Sequence, residues 1–157
     1  PGRTGSNIQS DTTLRLAEHD NIVGIKDASC NFQQLMNIAK YKPVDFSLIS
    51  GDDIHTTAII GVGGSGVISV MANGFPDVFR SMVDAALANQ CKEAQQHLYK
   101  LLELIPLMFE EGNPVGIKQL LHLMNICEPF VRLPLTTASA NLKRKIKQQL
   151  EDIIALP

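Results

Sequence analysis

The hydrophobic positions in the first half of the chain fall into two alternating patterns. Short apolar runs of strand length occupy residues 22–26, 46–50 and 66–70. Between them lie segments whose apolar residues recur at helical spacing on one face. Short apolar strands that alternate with helices are typical of consecutive βα units. The pattern therefore predicts an α/β fold in which these strands form a parallel sheet.

Each predicted helix of this half begins near a short polar residue whose side-chain oxygen can cap it. The candidates form one pair for each helix: Ser10 or Asp11, Ser29 or Asn31, and Asp52 or Asp53. The last pair could also be catalytic acids, but its position between a strand end and a helix favours capping. The second helix is expected to place four apolar residues on one face: Phe32, Leu35, Met36 and Ala39.

From Phe75 onward only helical periodicity remains. The apolar positions form four stripes: Val78, Met82 and Ala86; Leu98, Leu101, Leu102, Ile105 and Met108; Ile117, Leu120, Leu121 and Met124; and Leu142, Ile146, Leu150 and Ile153. The second stripe is expected to end at Gly112 and Pro114. We therefore divide the chain into an αβ part, residues 1–88, and a helical extension, residues 89–157.

Three βα units cannot close a sheet by themselves. An open parallel sheet would expose two edges and one apolar face, whereas eight units close into a barrel. The opening segment, Pro-Gly-Arg-Thr-Gly, is turn material and is not preceded by Met. These features predict that residues 1–88 are the second half of a (β/α)8 TIM barrel. Residues 89–157 would then form a C-terminal helical domain.

Composition excludes several classes of function. The chain has 157 residues, of which 45% are apolar and 19% charged, as in globular domains. Its net charge of −2 gives no reason to expect a nucleic-acid partner. No apolar run approaches the roughly 20 residues that cross a membrane. Cys30, Cys91 and Cys127 show no CxxC spacing and no signal peptide is recognisable, so we expect free thiols in a cytoplasmic protein.

Common binding and catalytic motifs are also excluded. Gly61, Gly63 and Gly66 match the dinucleotide pattern G-x-G-x-x-G. However, a helix precedes them and a strand follows, which reverses the required order. The four histidines are scattered, without a carboxylate or second histidine at ligand spacing, so no metal site is expected. No serine lies in a G-x-S-x-G turn, so a hydrolase triad has no support.

The first apolar run ends on Lys26, an uncommon place for an amine. Lysine is usually a solvated surface residue, but the C-terminal end of a barrel strand is where barrel enzymes place their chemistry. The neighbouring runs end in Ser50-Gly51 and Ser69, which leave room beside it. A desolvated lysine near another cation loses its proton more readily and can form a Schiff base with a ketone. Arg3 is the candidate cation, and its guanidinium also suits a substrate carboxylate.

Six segments occur in the order and spacing of a known family. They are GRTG (2–5), NIVGIKDAS (21–29), LISGDD (48–53), GVISV (66–70), GNPVGIK (112–118) and RLPLT (132–136). Together they resemble the C-terminal half of the dihydrodipicolinate synthases. These belong to the pyruvate-dependent Schiff-base aldolases, which also include the N-acetylneuraminate lyases. The resemblance covers essentially the whole chain, and the first and fourth segments favour the synthase branch.

The resemblance implies a homotetramer of (β/α)8 barrels that condenses pyruvate with aspartate semialdehyde in the diaminopimelate route of lysine biosynthesis. It implies that Lys26 forms the imine with pyruvate and that Arg3 holds the carboxylate of the second substrate. Gly51 would lie at the pocket wall, and the backbone at Ile68 would contact pyruvate. No cofactor is implied, because the imine itself is the electron sink. The family's acid–base tyrosine and relay threonine would precede residue 1, so the isolated chain is expected to be inactive.

Two alternatives remain open. The first is another aldolase of the same family, acting on N-acetylneuraminate or a keto-deoxy sugar acid. The second is a non-catalytic half-barrel assembly module in which Lys26 is structural. Substrate competition separates the first alternative from the synthase, and activity of the completed barrel separates the second.

Overall fold

The computed structural model describes residues 1–155 of the chain. Its strands and helices alternate in the first half and are followed by helices alone. In chain order they are α1 (Ser10–Leu16), β1 (Gly24–Asp27), α2 (Phe32–Tyr41), β2 (Ser47–Ser50), α3 (Thr56–Gly61), β3 (Gly66–Val67), α4 (Pro76–Leu87), α5 (Cys91–Leu101), α6 (Val115–Leu123) and α7 (Ala140–Ala155). Short 3₁₀ turns occupy Met71–Asn73 and Pro106–Met108.

The three strands form one parallel sheet in the order β1-β2-β3, as the alternating pattern predicts. Gly24 pairs with Ser47 at one end of the β1–β2 ladder. A Cβ atom at Gly24 would lie 2.7 Å from the carbonyl oxygen of Ser47, so the two strands approach this closely only because residue 24 has no side chain. The α/β prediction is confirmed.

The strands are shorter than their apolar runs. Val23 is 73% exposed and precedes β1, although its carbonyl oxygen accepts a hydrogen bond of 2.9 Å from the amide of Ser47. At the other end of the sheet, Val70 has helical backbone angles (φ −83°, ψ −45°). Because a strand cannot continue through that conformation, β3 ends before residue 70, where the sequence pattern placed the strand end.

The chain divides into two compact units, one of residues 1–69 and 83–94, the other of residues 70–82 and 95 onward. The core of the first unit lies between α2, β2 and α3 and consists of Leu35, Ile38, Leu48 and Ile59. Met36, which was expected to face this core, is 49% exposed, and Ile38 is fully buried instead. The boundary at residues 88 and 89 stays a prediction.

The second unit is helical in its described residues. On α7, Leu142, Ile146 and Leu150 are buried, as the last apolar stripe predicts. The stripe from Leu98 to Met108 is not one helix: α5 ends at Leu101, and a 3₁₀ turn begins at Pro106. Proline has no backbone N–H and cannot continue the helical hydrogen-bond pattern, which explains the break. Within residues 1–155, no helix is long and apolar enough to cross a membrane.

Candidate active site

Lys26 lies at the carboxyl end of β1, where it pairs with Ile49 of β2. Its side chain borders a cavity of about 190 Å³. Residues 25–28 form one side of this cavity, and residues of the segment 1–8 form the other. Lys26 is exposed rather than desolvated, and β1 is an edge strand of the sheet that residues 1–155 form. The expected burial of the amine is therefore not provided by this chain.

Gly51 gives the Lys26 side chain its space. A Cβ atom at position 51 would lie 3.0 Å from Cε of Lys26 and 2.8 Å from Cβ of Ala28. The backbone amide of Gly51 donates a hydrogen bond of 2.8 Å to the carbonyl oxygen of Asp27, which holds the two strand ends together. Any larger residue at position 51 would displace the lysine or the backbone around it. The structure thus brings two of the predicted site residues into contact.

Beside Lys26, a buried hydrogen-bond network fixes the wall of the cavity. Asp27 and Gln34 are each 5% exposed, and Nε2 of Gln34 donates to Oδ2 of Asp27 at 2.8 Å. Oδ1 of Asp27 accepts from the amide of Ser29 at 2.7 Å. Gln34 also donates to the carbonyl oxygen of Ile8 at 3.2 Å and accepts from Nδ2 of Asn7 at 2.8 Å. This network ties the segment before α1 to the end of β1.

The other two predicted site residues, Arg3 and Ile68, lie in the segment before α1 and after β3. Arg3 is exposed and sits in a turn in which the carbonyl oxygen of Pro1 accepts from the amides of Thr4 and Gly5, at 3.2 and 2.9 Å. Pro1 and Thr4 line the cavity on either side of Arg3 in the chain. Ile68 follows β3, and its amide donates to the carbonyl oxygen of Ser50 at 2.9 Å. Ile68 therefore lies at the same carboxyl end of the sheet as Lys26.

A second polar cluster, formed by Cys30, Asp52 and His55, lies at the carboxyl end of the sheet and was not indicated by the sequence pattern. Nδ1 of His55 lies 2.8 Å from Oδ1 of Asp52 and 3.5 Å from Sγ of Cys30. The Asp52 carboxylate also accepts the backbone amide of His55 at 3.0 Å, in the turn before α3. The N-cap residue of α3 is His55, without a side-chain capping bond, so the prediction that Asp52 or Asp53 caps this helix is wrong. Burial first, and then the charge of Asp52, raises the pKa of the Cys30 thiol. Asp52 and His55 are three residues apart, but Cys30 lies 22 residues before Asp52, which hides the cluster from spacing rules.

Comparison with known proteins identifies the family. The model of the dihydrodipicolinate synthetase family matches residues 1–153. The chain belongs to this family. The 4-hydroxy-tetrahydrodipicolinate synthase of Cytophaga hutchinsonii is 49% identical over 148 residues, which are 94% of this chain and 50% of that protein. The chain spans about half the length of the curated relatives it matches.

Solved structures agree with this assignment. The dihydrodipicolinate synthase of Aquifex aeolicus superposes with a TM-score of 0.93 at 34% identity, over 97% of this chain and 52% of that one. The chloride-inhibited synthase of Acinetobacter baumannii, complexed with pyruvate, superposes with a TM-score of 0.94 at 33% identity. That match covers 99% of this chain and 54% of the relative. The resemblance seen in the six sequence segments is thereby confirmed at the level of the family.

Proposed function

We propose that this chain is the C-terminal half of a 4-hydroxy-tetrahydrodipicolinate synthase. The intact enzyme condenses pyruvate with aspartate semialdehyde through a Schiff base on Lys26, as a step of lysine biosynthesis. The observation behind this proposal is the position of Lys26 at a strand end, in contact with Gly51, in a chain of this family. The three parallel strands belong to a (β/α)8 barrel, and the helices after residue 88 form its C-terminal domain.

In the proposed reaction, the neutral amine of Lys26 adds to the ketone carbon of pyruvate, and water leaves as the imine forms. The imine then loses a methyl proton and becomes an enamine, whose terminal carbon attacks the aldehyde of the second substrate. Transfer of the new product's own amine to the imine carbon closes the ring and releases the lysine. The electron pair rests on the imine nitrogen in the intermediate steps, so the lysine supplies the electron sink.

The other residues of this chain have binding and positioning roles in the proposal. Gly51 leaves the space through which the Lys26 side chain reaches the end of the sheet. The guanidinium of Arg3 would hold the carboxylate of aspartate semialdehyde, for which its planar pair of donors is suited. The backbone at Ile68 would contact pyruvate. The pyruvate complex of the Acinetobacter baumannii relative supports pyruvate as the first substrate.

Burial of the amine and proton transfer require groups beyond those described. Lys26 is exposed here, whereas addition to a ketone requires the neutral form of an amine, which burial favours. Completion of the barrel would pair the free side of β1 and cover the lysine. We further propose that the intact protein is a cytoplasmic homotetramer.

A substrate assay on the intact protein tests the proposed function. We expect consumption of pyruvate together with aspartate semialdehyde, loss of this activity in Lys26→Ala, and its retention in Lys40→Ala, which removes an exposed lysine of α2. Cleavage of N-acetylneuraminate or a keto-deoxy sugar acid, with aspartate semialdehyde unreactive, would instead identify the sugar-acid branch. If the folded protein shows none of these activities, the non-catalytic assembly module is the remaining alternative.

A further inference from the structure

The side chains of Cys30, Asp52 and His55 form a cluster between two loops at the carboxyl ends of the strands. Cys30 lies between β1 and α2, whereas Asp52 and His55 lie between β2 and α3. Their ligand atoms all lie within 4.8 Å of one another. A thiol, a carboxylate and an imidazole are the groups that bind borderline-soft divalent metals in proteins. Lys26 and Gly51 do not belong to this cluster, so its chemistry is separate from Schiff-base formation.

The spacing of Cys30 and His55 suits two ligands of a shared tetrahedral ion. Zinc bonds of about 2.0–2.3 Å place neighbouring ligand atoms about 3.3–3.6 Å apart. Sγ of Cys30 lies 3.5 Å from Nδ1 of His55 and 3.8 Å from Oδ2 of Asp52. The contact of 2.8 Å between Nδ1 and Oδ1 of Asp52 is a hydrogen-bond distance. Ion binding would therefore require the half-buried Asp52 carboxylate to turn away from Nδ1 of His55.

Two protons hold the cluster together in the absence of metal. Nδ1–H of His55 donates to one carboxylate oxygen of Asp52, and the thiol of Cys30 points at the other at 3.8 Å. A divalent ion on the same atoms would replace both contacts. The imidazole would move its proton from Nδ1 to Nε2, and the thiol would release its proton to solvent. The resulting thiolate and carboxylate carry two negative charges, which balance the ion.

The surroundings hold the ligands in place. The ring of Phe32 packs edge-on against the ring of His55, with centroids 5.9 Å apart. Cys30 has a φ of 56°, a left-handed conformation that costs a side chain energy and turns the thiol toward the second loop. The amide of His55 donates to Asp52 at 3.0 Å and keeps the carboxylate beside the imidazole. Cys30 and His55 are thus held close together before any ion binds.

We propose that Cys30, Asp52 and His55 form a zinc site with an open fourth position for water. The ion would link the loop after β1 to the loop after β2 and stabilise the carboxyl end of the sheet, where Lys26 lies.

The test is metal titration of the intact, chelator-treated protein, read by metal binding rather than by synthase activity. With Co²⁺ as the probe, we expect one ion per chain and a thiolate-to-cobalt charge-transfer band. Zn²⁺ competition with a colorimetric chelator then gives the affinity. Cys30→Ser should abolish the charge-transfer band and weaken Zn²⁺ binding at least tenfold. His55→Gln should weaken binding similarly, and Cys91→Ser, which removes another exposed thiol, should change neither.

Circular dichroism of each variant establishes that it is folded. Should Cys30→Ser fail to fold, His55→Gln carries the same test, since the amide side chain keeps the volume of the imidazole and removes the ring nitrogen. Tight Co²⁺ binding without a charge-transfer band would overturn the proposal. So would Zn²⁺ affinity that stays unchanged in both variants, or no binding in competition with the chelator.

Discussion

The two compact units differ in what they bury. Among the described residues, the buried polar side chains lie in the first unit with the exception of Gln119: Thr13, Asp27, Gln34, Ser50, Asp53 and Thr56. The second unit buries apolar side chains along α6 and α7. Burial of a polar group costs free energy unless it is hydrogen-bonded. The comparison indicates that the second unit derives its stability from apolar packing. The first unit has an apolar core too, but it also buries Asp27 and Ser50 at the end of the sheet where the proposed chemistry occurs.

The largest expected effect concerns the apolar core of the second unit. Ile146 of α7 is fully buried, and Ile146→Ala should lower the free energy of unfolding by about 2–5 kcal/mol. The neighbouring Lys143→Ala, at an exposed position, should change it by less than about 0.5 kcal/mol. Urea denaturation of the intact protein measures both. Equal effects of the two variants would contradict the assignment of stability to this core.

In the first unit, substitution of Gly51 is expected to change the rate of imine formation. Gly51→Ala places a Cβ 3.0 Å from Cε of Lys26 and 2.8 Å from Cβ of Ala28, so the lysine must move. Displacement of a reacting group by a fraction of an ångström to 1 Å should slow imine formation by about 10- to 100-fold. Gly61→Ala is the matched control, because a Cβ at Gly61 meets nothing within 4 Å. Stopped-flow measurement with pyruvate distinguishes them, and identical rates would refute the role of Gly51.

The buried network beside Lys26 tests the cost of polar burial. Gln34→Met removes the donor of Asp27 Oδ2 and the link to Asn7, and should lower the free energy of unfolding by about 1–3 kcal/mol. The adjacent Gln33→Met changes an exposed position and serves as the control. Thermal unfolding gives the difference. A neutral or stabilising Gln34→Met would mean that the network does not hold the cavity wall.

A smaller effect is expected at the start of α2. The side chain of Asn31 accepts the amide of Gln34 at 3.1 Å, which satisfies one free donor of the first turn. Asn31→Ala should therefore cost about 1 kcal/mol, whereas Asn31→Ser should recover most of it. Denaturant midpoints of the two variants check this. Equal midpoints for Asn31→Ala and the unchanged protein would show that the Asn31 side chain does not stabilise the start of α2.

The smallest effect is a pH dependence in the second unit. The hydroxyl of Ser139, and then its amide, donate to Glu111 and lower the pKa of its carboxyl below the ordinary value of 4.5. A carboxyl with a lowered folded pKa stabilises the protein above its unfolded pKa, and this contribution is lost as pH falls through the folded value. Glu111→Gln should flatten this part of the stability profile below pH 4.5. An unchanged acid limb would show that the contact contributes nothing.

The hydrophobic pattern and the capping residues predicted helices and strands correctly where residues close in sequence determine them. The apolar runs located the three strands, and the cap at Asn31 was one of two candidates for the start of α2. The periodicity of the stripe from Leu98 to Met108 continued past Pro106, but backbone chemistry ended the helix. Met36 and Ile38 both suit a helix face, and only tertiary packing selects Ile38.

The contact between Lys26 and Gly51 was predictable from local sequence patterns, whereas the rest of the candidate site was not. Lys26 and Gly51 each follow a strand signal, so their meeting at the sheet edge follows from parallel topology. The network around Asp27 depends on Gln34 and Asn7, which are distant in sequence and have no motif. Likewise, Cys30 meets His55 only because two loops come together in the fold. Gln34 lies outside the apolar face predicted for α2, so the sequence pattern gave no signal of its burial.

The most direct test of the central claim is borohydride trapping of the intact protein with pyruvate, followed by peptide mass mapping. Borohydride reduces an imine to a stable amine and therefore marks the lysine that formed it. We predict a pyruvate-dependent adduct on the peptide that contains Lys26 and unmodified peptides for the other lysines, Lys40 among them. A folded protein in which Lys26 remains unmodified, or in which another lysine takes up the adduct, would contradict it.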